Sequence, residues 1–129
     1  MPIPETMVTL SRNRARVAVL KLADLEIDAL DPLVRQGSRA VRLSPIEHVL
    51  LYRLASRVGV VISYRELAGA LGRDAPTVNN SIARHVSSLR SKLRDDSRQP
   101  RYIETVPGIG FRFVVASETK ERPRGDRVL

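Results

Sequence analysis

The segment from Val78 to Leu93 restricts the possible folds most strongly, because its apolar residues recur at the spacing of an α-helix. At about 100° per residue, one stripe along this helix is formed by Val78, Ile82, Val86, Leu89 and Leu93. The opposite face holds small polar residues and a single charge, namely Thr77, Asn80, Arg84, Ser87, Ser88 and Ser91. The pattern predicts a helix with one buried face and one polar, outward face.

That outward face is unusual because no Asp or Glu occurs between Thr77 and Arg94. An ordinary exposed helix of this length usually carries acidic and basic partners four residues apart. A polar face that simply contacts solvent is the plainer interpretation. The lack of acidic residues and the small side chains instead favour a helix that lies in the major groove of DNA.

The segment from Tyr102 to Val115 predicts a β-hairpin. Two apolar-rich runs, Tyr102–Val106 and Gly110–Val115, flank the turn residues Pro107 and Gly108. One interpretation is that the hairpin only closes the core. The other is that a basic hairpin beside a groove-binding helix also contacts the minor groove or the backbone. The two interpretations are compatible.

The charge balance favours a polyanionic partner. The 129 residues include 22 Lys and Arg against 14 Asp and Glu, which gives a formal net charge of +8. A basic surface without a ligand is the alternative. There is no Cys, and the two His residues, His48 and His85, lie on different predicted helices, so disulfides, thiolate catalysis and Cys-ligated zinc are excluded. We expect no metal, no cofactor and no enzymatic activity.

The N-terminal half predicts a small antiparallel sheet that needs a helix to cover its apolar face. Its short strand-like runs are Val17–Leu22, Leu25–Asp28, Leu33–Arg35 and Ala40–Leu43. Ser44, Pro45 and Glu47 then form a helix start with a capping box. We expect this first helix to end at Gly59.

Two further helices are expected after a short extended run at Val60–Ile62. Ser63 and Glu66 repeat the capping pattern ahead of a short helix that stops at Gly72. The third helix is expected over Pro76–Arg94. The chain is therefore predicted to be an α+β protein.

This order of segments resembles the OmpR/PhoB-type winged helix-turn-helix of bacterial transcription regulators. The segments that carry the resemblance are LSPIEHVLLYRLA, ISYRELAGALG, HVSSLRSKL and PRYIETVPGIGFRF. It covers roughly Val17–Val115 and implies an N-terminal antiparallel sheet, three helices and a C-terminal β-hairpin wing. It also implies a third helix in the major groove of double-stranded DNA, tandem homodimers on direct repeats and possible contact with RNA polymerase.

Helical geometry and the resemblance together give the candidate contacts. The residues expected to contact bases are Asn80, Ser81, Arg84 and Ser88. Those expected to contact phosphates are Thr77, His85, Ser87, Arg90, Lys92, Arg101 and Arg112. The alternative function is a winged-helix module that docks RNA polymerase or another regulator.

Three positions depart from the family pattern. Ser88 stands where many members have a base-contacting Arg, and Arg84 stands where Val is common. The guanidinium is thus displaced by one helical turn, so we expect an altered base preference. The wing position that often holds Arg is Pro107, and the wing resembles that of the ToxR/CadC-type subgroup.

Outside the predicted domain, residues 1–16 are expected to form a flexible arm and residues 116–129 a disordered basic tail. The arm is too short for the receiver domain of a two-component response regulator. A stand-alone regulator, a natural fragment and an excised domain remain open. The sequence shows no signal peptide and no apolar run of bilayer length, so we expect a cytoplasmic, nucleoid-associated protein.

Overall fold

The structure is a computed structural model that describes residues 19–72 and 78–115, with the side chains of residues 78–80 left out of the description. The predicted arm over residues 1–16, the tail over residues 116–129 and the candidate Thr77 lie outside these ranges. Among the described residues, no helix is both long and apolar enough to span a bilayer.

The chain begins with a four-stranded antiparallel sheet in the order β1-β2-β3-β4. Its strands are β1 (Val19–Leu22), β2 (Leu25–Asp28), β3 (Asp31–Gln36) and β4 (Arg39–Arg42). Alternation along the strands places one face against the helices. Leu25, Ile27, Val34 and Val41 lie on that face and are buried.

The first helix, α1 (Pro45–Ala55), starts as predicted. The Ser44 hydroxyl accepts from the Glu47 amide at 3.1 Å, and the Glu47 carboxylate accepts from the Ser44 amide at 2.9 Å. The expected end at Gly59 is wrong, because the helix ends at Ala55 with Ser56 as its C-cap. Gly59 instead has a φ of 83° and donates its amide to the Phe113 carbonyl at 2.9 Å, so it shapes the turn that follows the helix.

The other two helices are α2 (Tyr64–Ala70) and α3 (Val78–Leu93). Ser63 caps α2 by accepting from the Glu66 amide at 3.0 Å. The predicted apolar stripe of α3 forms the centre of the core. Its described members are fully buried and are Ile82, Val86, Leu89 and Leu93.

A second sheet contains β5 (Val61–Ser63), β6 (Ile103–Val106) and β7 (Gly110–Phe113), in the order β5-β7-β6. β7 is therefore the central strand and pairs antiparallel with both neighbours. The hairpin closes the core with buried aromatic side chains, Tyr102, Phe111 and Phe113. The predicted α+β winged helix-turn-helix architecture is confirmed.

Candidate nucleic-acid interface

The outward face of α3 is made of small side chains around one cation. Ala83, Arg84, Ser87 and Ser91 are exposed, on the side opposite the buried stripe. Within the described part of the chain, the Arg84 side chain has no hydrogen bond or ion pair. Its guanidinium therefore keeps all of its donors for an external acceptor.

Five other predicted contacts on α3 lie nearer the edges of this face, namely Ser81, His85, Ser88, Arg90 and Lys92. Ser81 and His85 are partly buried. For Asn80, the structure gives the helical backbone but no description of the side chain. Ser88, Lys92 and Arg90 lie at the two edges and contact neighbouring elements.

Glu47 of α1 accepts hydrogen bonds from Ser88 and Lys92, the two residues at one edge of the outward face of α3. Its carboxylate accepts from the Ser88 hydroxyl at 2.6 Å and from the Lys92 ammonium at 2.7 Å, in addition to the Ser44 amide. The Glu47 side chain is only 5% exposed. A buried carboxylate of this kind is favourable only when it is paired and hydrogen-bonded, and here both oxygens are.

The ionisation of Glu47 reflects this environment. Burial disfavours the charged form and would raise its pKa, but the hydrogen bonds from Lys92, Ser88 and the Ser44 amide outweigh burial and lower the pKa from 4.5 to about 2. Glu47 is therefore an anion at neutral pH. It joins the start of α1 to the C-terminal half of α3.

Arg90 occupies the opposite edge of α3 and faces the hairpin. Its Nη2 donates to the Ile103 carbonyl and to the Thr105 hydroxyl, each at 2.8 Å. The guanidinium carbon lies 5.7 Å from the centre of the Phe111 ring. Burial lowers the pKa of Arg90, but an arginine stays charged at physiological pH. This side chain holds β6 against α3.

The two candidate cations of the hairpin region are also paired. Arg101 forms an ion pair with Asp24 at 3.3 Å. Arg112 of β7 lies opposite Glu104 of β6 and donates to its carboxylate through Nε at 2.8 Å. At the tip between these strands, Ile109 is 55% exposed. The tip therefore presents an apolar side chain beside Pro107 and Gly108.

Sequence reasoning missed a polar contact between the N-terminal sheet and the end of α3. The Gln36 side-chain amide donates to the Leu93 carbonyl at 2.7 Å and to the Tyr102 hydroxyl at 3.0 Å. That hydroxyl donates to the Asp24 carboxylate at 2.6 Å. Burial, together with this bond to Asp24, raises the pKa of Tyr102 to about 12. No local pattern around Gln36 or Asp24 indicates partners so distant along the chain.

Asp95, just after α3, is a second residue that the sequence did not single out. Its carboxylate accepts from the amides of Arg101, Tyr102 and Ile103, at 2.6, 3.3 and 2.9 Å. These bonds fix where the chain enters β6. The only sequence signal was an Asp in a polar loop, which is equally typical of a solvent-exposed turn.

Comparisons with known proteins agree with this architecture. Residues 37–113 match the family described as "Transcriptional regulatory protein, C terminal". The KDP operon transcriptional regulatory protein KdpE of Escherichia coli (strain K12) is 32% identical over 112 residues, which cover 84% of this chain and 50% of that protein. The chain spans about half or less of the length of the curated relatives that it matches.

Solved DNA-binding domains show the same fold. The crystal structure of the Klebsiella pneumoniae RstA DNA-binding domain in complex with RstA box matches with a TM-score of 0.69 and 29% identity, covering 74% of this chain and 96% of that chain. The DNA-binding domain of CpxR from E. coli matches with a TM-score of 0.67 and 28% identity, covering 76% and 97%. By the family match and this shared fold, the chain belongs to the OmpR/PhoB-type family of C-terminal DNA-binding domains of transcriptional regulatory proteins.

Proposed function

We propose that this domain binds double-stranded DNA sequence-specifically, with α3 in the major groove and the β6–β7 hairpin near the minor groove or the backbone. The observation that carries the proposal is the outward face of α3. Arg84, Ser87 and Ser91 are exposed on it, and the whole segment Thr77–Arg94 lacks acidic residues. Small side chains allow close approach of the helix, and one unpaired guanidinium suits recognition of a guanine edge.

Within this proposal, Arg84 is the principal base contact. Its planar guanidinium can donate two hydrogen bonds to O6 and N7 of guanine. Asn80, Ser81 and Ser88 are the other proposed base contacts. Asn80 has the side chain that pairs with adenine in the same bidentate manner.

The proposed phosphate contacts fall into two groups. Thr77, His85 and Ser87 form the first group, and within the described residues neither the His85 nor the Ser87 side chain has a hydrogen bond or ion pair. The second group has partners inside the protein, as described above, and comprises Arg90, Lys92, Arg101 and Arg112. Lys92, Arg101 and Arg112 are each paired with a carboxylate, and a cation paired in this way releases fewer counterions from DNA than a free one. We therefore infer weaker salt dependence than the net charge of +8 suggests.

Assembly and cellular context extend the same proposal. The similar RstA domain was crystallised in complex with RstA box, and a comparable DNA ligand is inferred for this chain. We propose binding as a homodimer on tandem direct repeats, with RNA polymerase as a further partner of the whole regulator. Such a protein acts at the nucleoid in the cytoplasm.

The test is selection of bound sequences from a random double-stranded DNA pool, with the protein and its Arg84→Ala variant. We expect one enriched motif that occurs as a direct repeat, and the loss of preference at one position in the variant. Arg53→Ala is the matched control, because Arg53 is exposed on α1 and has no proposed contact. Failure of the wild type to enrich any motif would contradict the proposal, and a palindromic motif would contradict the tandem arrangement.

A further inference from the structure

The hydrogen-bonding state of Ser88 is fixed by its contact with Glu47. The Ser88 Oγ lies 2.6 Å from Glu47 Oε2, and the Glu47 side chain is 5% exposed. An ionised carboxylate only accepts hydrogen bonds, so the proton of this pair must come from the serine. The single hydroxyl proton of Ser88 therefore points at α1.

Glu47 is itself held in place, which makes this orientation persistent. Its other oxygen, Oε1, accepts from the Lys92 ammonium at 2.7 Å and from the Ser44 amide at 2.9 Å. Rotation of the carboxylate away from Ser88 would break the bonds to Lys92 and to the Ser44 amide. The low pKa of Glu47 is consistent with a carboxylate that remains charged in this position.

The remaining hydrogen-bonding capacity of Ser88 follows from this orientation. A serine hydroxyl has one donor and two acceptor lone pairs. With the donor used by Glu47, a ligand that approaches α3 meets only lone pairs at Ser88. Ser88 is partly exposed and is four residues from Arg84, so the two side chains are neighbours on the helix surface.

We propose that Glu47 fixes Ser88 as a hydrogen-bond acceptor, so that Ser88 selects a base whose major-groove edge presents an amino group. On the contacted strand these bases are cytosine, through N4, and adenine, through N6. Guanine and thymine present O6 and O4, which are acceptors, and are disfavoured. This inference rests on the proposed function and assigns Glu47 a positioning role, since Glu47 acts only through Ser88.

The experiment compares base preferences of the wild type, Ser88→Ala, Glu47→Gln and the double variant in the same random-pool selection. We expect the wild type to prefer C or A at one position by roughly 5-fold, the worth of one hydrogen bond. Ser88→Ala is expected to lose this preference at that position alone. In Glu47→Gln we expect the amide oxygen to keep the two donors Lys92 and Ser44 N–H, so that the NH2 group faces Ser88. The hydroxyl proton is then free, and G and T should become acceptable there.

The double variant and a matched control separate positioning from general destabilisation. Glu47→Gln should change nothing further in the Ser88→Ala background, because the two residues act through one hydroxyl. The control is Glu66→Gln. Glu66, like Glu47, is a glutamate three positions after a capping serine, but it lies on α2 and pairs with the exposed Arg57. It is expected to leave all base preferences intact.

The possible outcomes distinguish this inference from the function on which it rests. If the wild type enriches a motif but Ser88→Ala leaves every C or A preference unchanged, the inference is wrong while DNA binding stands. A Ser88-dependent preference for G or T also overturns it. If the wild type enriches nothing, both fail together. If Glu47→Gln does not fold by circular dichroism, Ser88→Ala alone decides the acceptor assignment.

Discussion

The side-chain amide of Gln36 donates a 2.7 Å hydrogen bond to the carbonyl oxygen of Leu93, the last residue of α3. Arg39 adds a 3.0 Å bond to the neighbouring carbonyl of Lys92. The last carbonyls of a helix have no partner within the helix, so these bonds satisfy groups that would otherwise be unpaired. The N-terminal sheet thereby fixes the C-terminal end of the helix proposed to enter the groove.

Replacing Gln36 with Leu should lower the stability of the domain. The change leaves the buried Leu93 carbonyl without its side-chain donor, and we expect a loss of about 1–3 kcal/mol in the free energy of unfolding. Urea denaturation followed by circular dichroism measures it. Arg35→Gln is the control, because Arg35 is the exposed neighbour on the same strand. Equal stability of the two variants would contradict a role for the Gln36 bond.

Arg84→Ala should weaken binding to the selected motif by about 1–3 kcal/mol and relax base preference at one position. The physical reason is loss of a bidentate donor to one base, whereas the phosphate contacts remain. Fluorescence anisotropy titrations with the motif and with single-base variants measure both effects. Indistinguishable titrations for the variant and wild type would exclude Arg84 as a base contact.

Arg90→Ala should reduce both fold stability and DNA affinity. The stability loss, about 1–3 kcal/mol, arises because the Ile103 carbonyl and Thr105 hydroxyl lose their donor. The affinity loss should be similar for all DNA sequences, since a phosphate contact carries no base preference. Thermal unfolding and salt-dependent anisotropy measure the two effects. A change in base preference would argue against a phosphate contact.

Stability should fall in acid because of Glu47. The pKa is about 2 in the folded state against 4.5 for the free group, so the unfolded state binds the proton more readily between these values. Stabilisation is therefore complete above about pH 5 and is lost as pH falls towards 2, by about 3 kcal/mol at most. Denaturation at several pH values tests this, and Glu47→Gln should remove that part of the dependence. An identical pH profile in the variant would contradict the assignment.

Gly110→Ala should disrupt the second sheet. A Cβ at Gly110 would collide with the carbonyl of Ile62 on β5, and the resulting shift should cost about 1–3 kcal/mol. Gly69→Ala is the matched control, because Gly69 lies inside α2 and a Cβ there meets no atom within 4 Å beyond its own stretch of helix. The control should be neutral or stabilising by up to about 1 kcal/mol. Unfolding curves that rank the two variants the other way would refute this packing.

Much of the fold was predictable because its signals are local. The capping box at Ser44 and Glu47 and the helical spacing of Ile82, Val86 and Leu89 follow from a few adjacent residues. The end of α1 was predicted wrongly because a Gly with positive φ can end a helix or shape a later turn. Gly59 lies in the turn that follows the C-cap Ser56. Placement of β5 beside β7 depends on a contact about fifty residues away, which periodicity does not contain.

The candidate interface was predictable only in part, because some of its contacts join residues that are distant in the sequence. The outward position of Arg84 follows from the helical period alone. The partner of Ser88 and Lys92 does not follow from the helical period, because Glu47 lies on another helix. The capping pattern identifies Glu47 as a capping residue and does not indicate that it also binds α3. Charge counting likewise treats Arg112 as free, although Glu104 lies directly opposite it on the next strand.

The central position of β7 has a consequence for the entropy of association. Pairing with β5 on one side and β6 on the other ties the hairpin to the helical body by its own backbone. A hairpin held in this way loses its conformational freedom when the domain folds, not when a ligand arrives. Folding of the domain and binding of DNA are therefore linked. A substitution that loosens β5 against β7 should leave the association rate with DNA unchanged, but should shorten the lifetime of the protein–DNA complex.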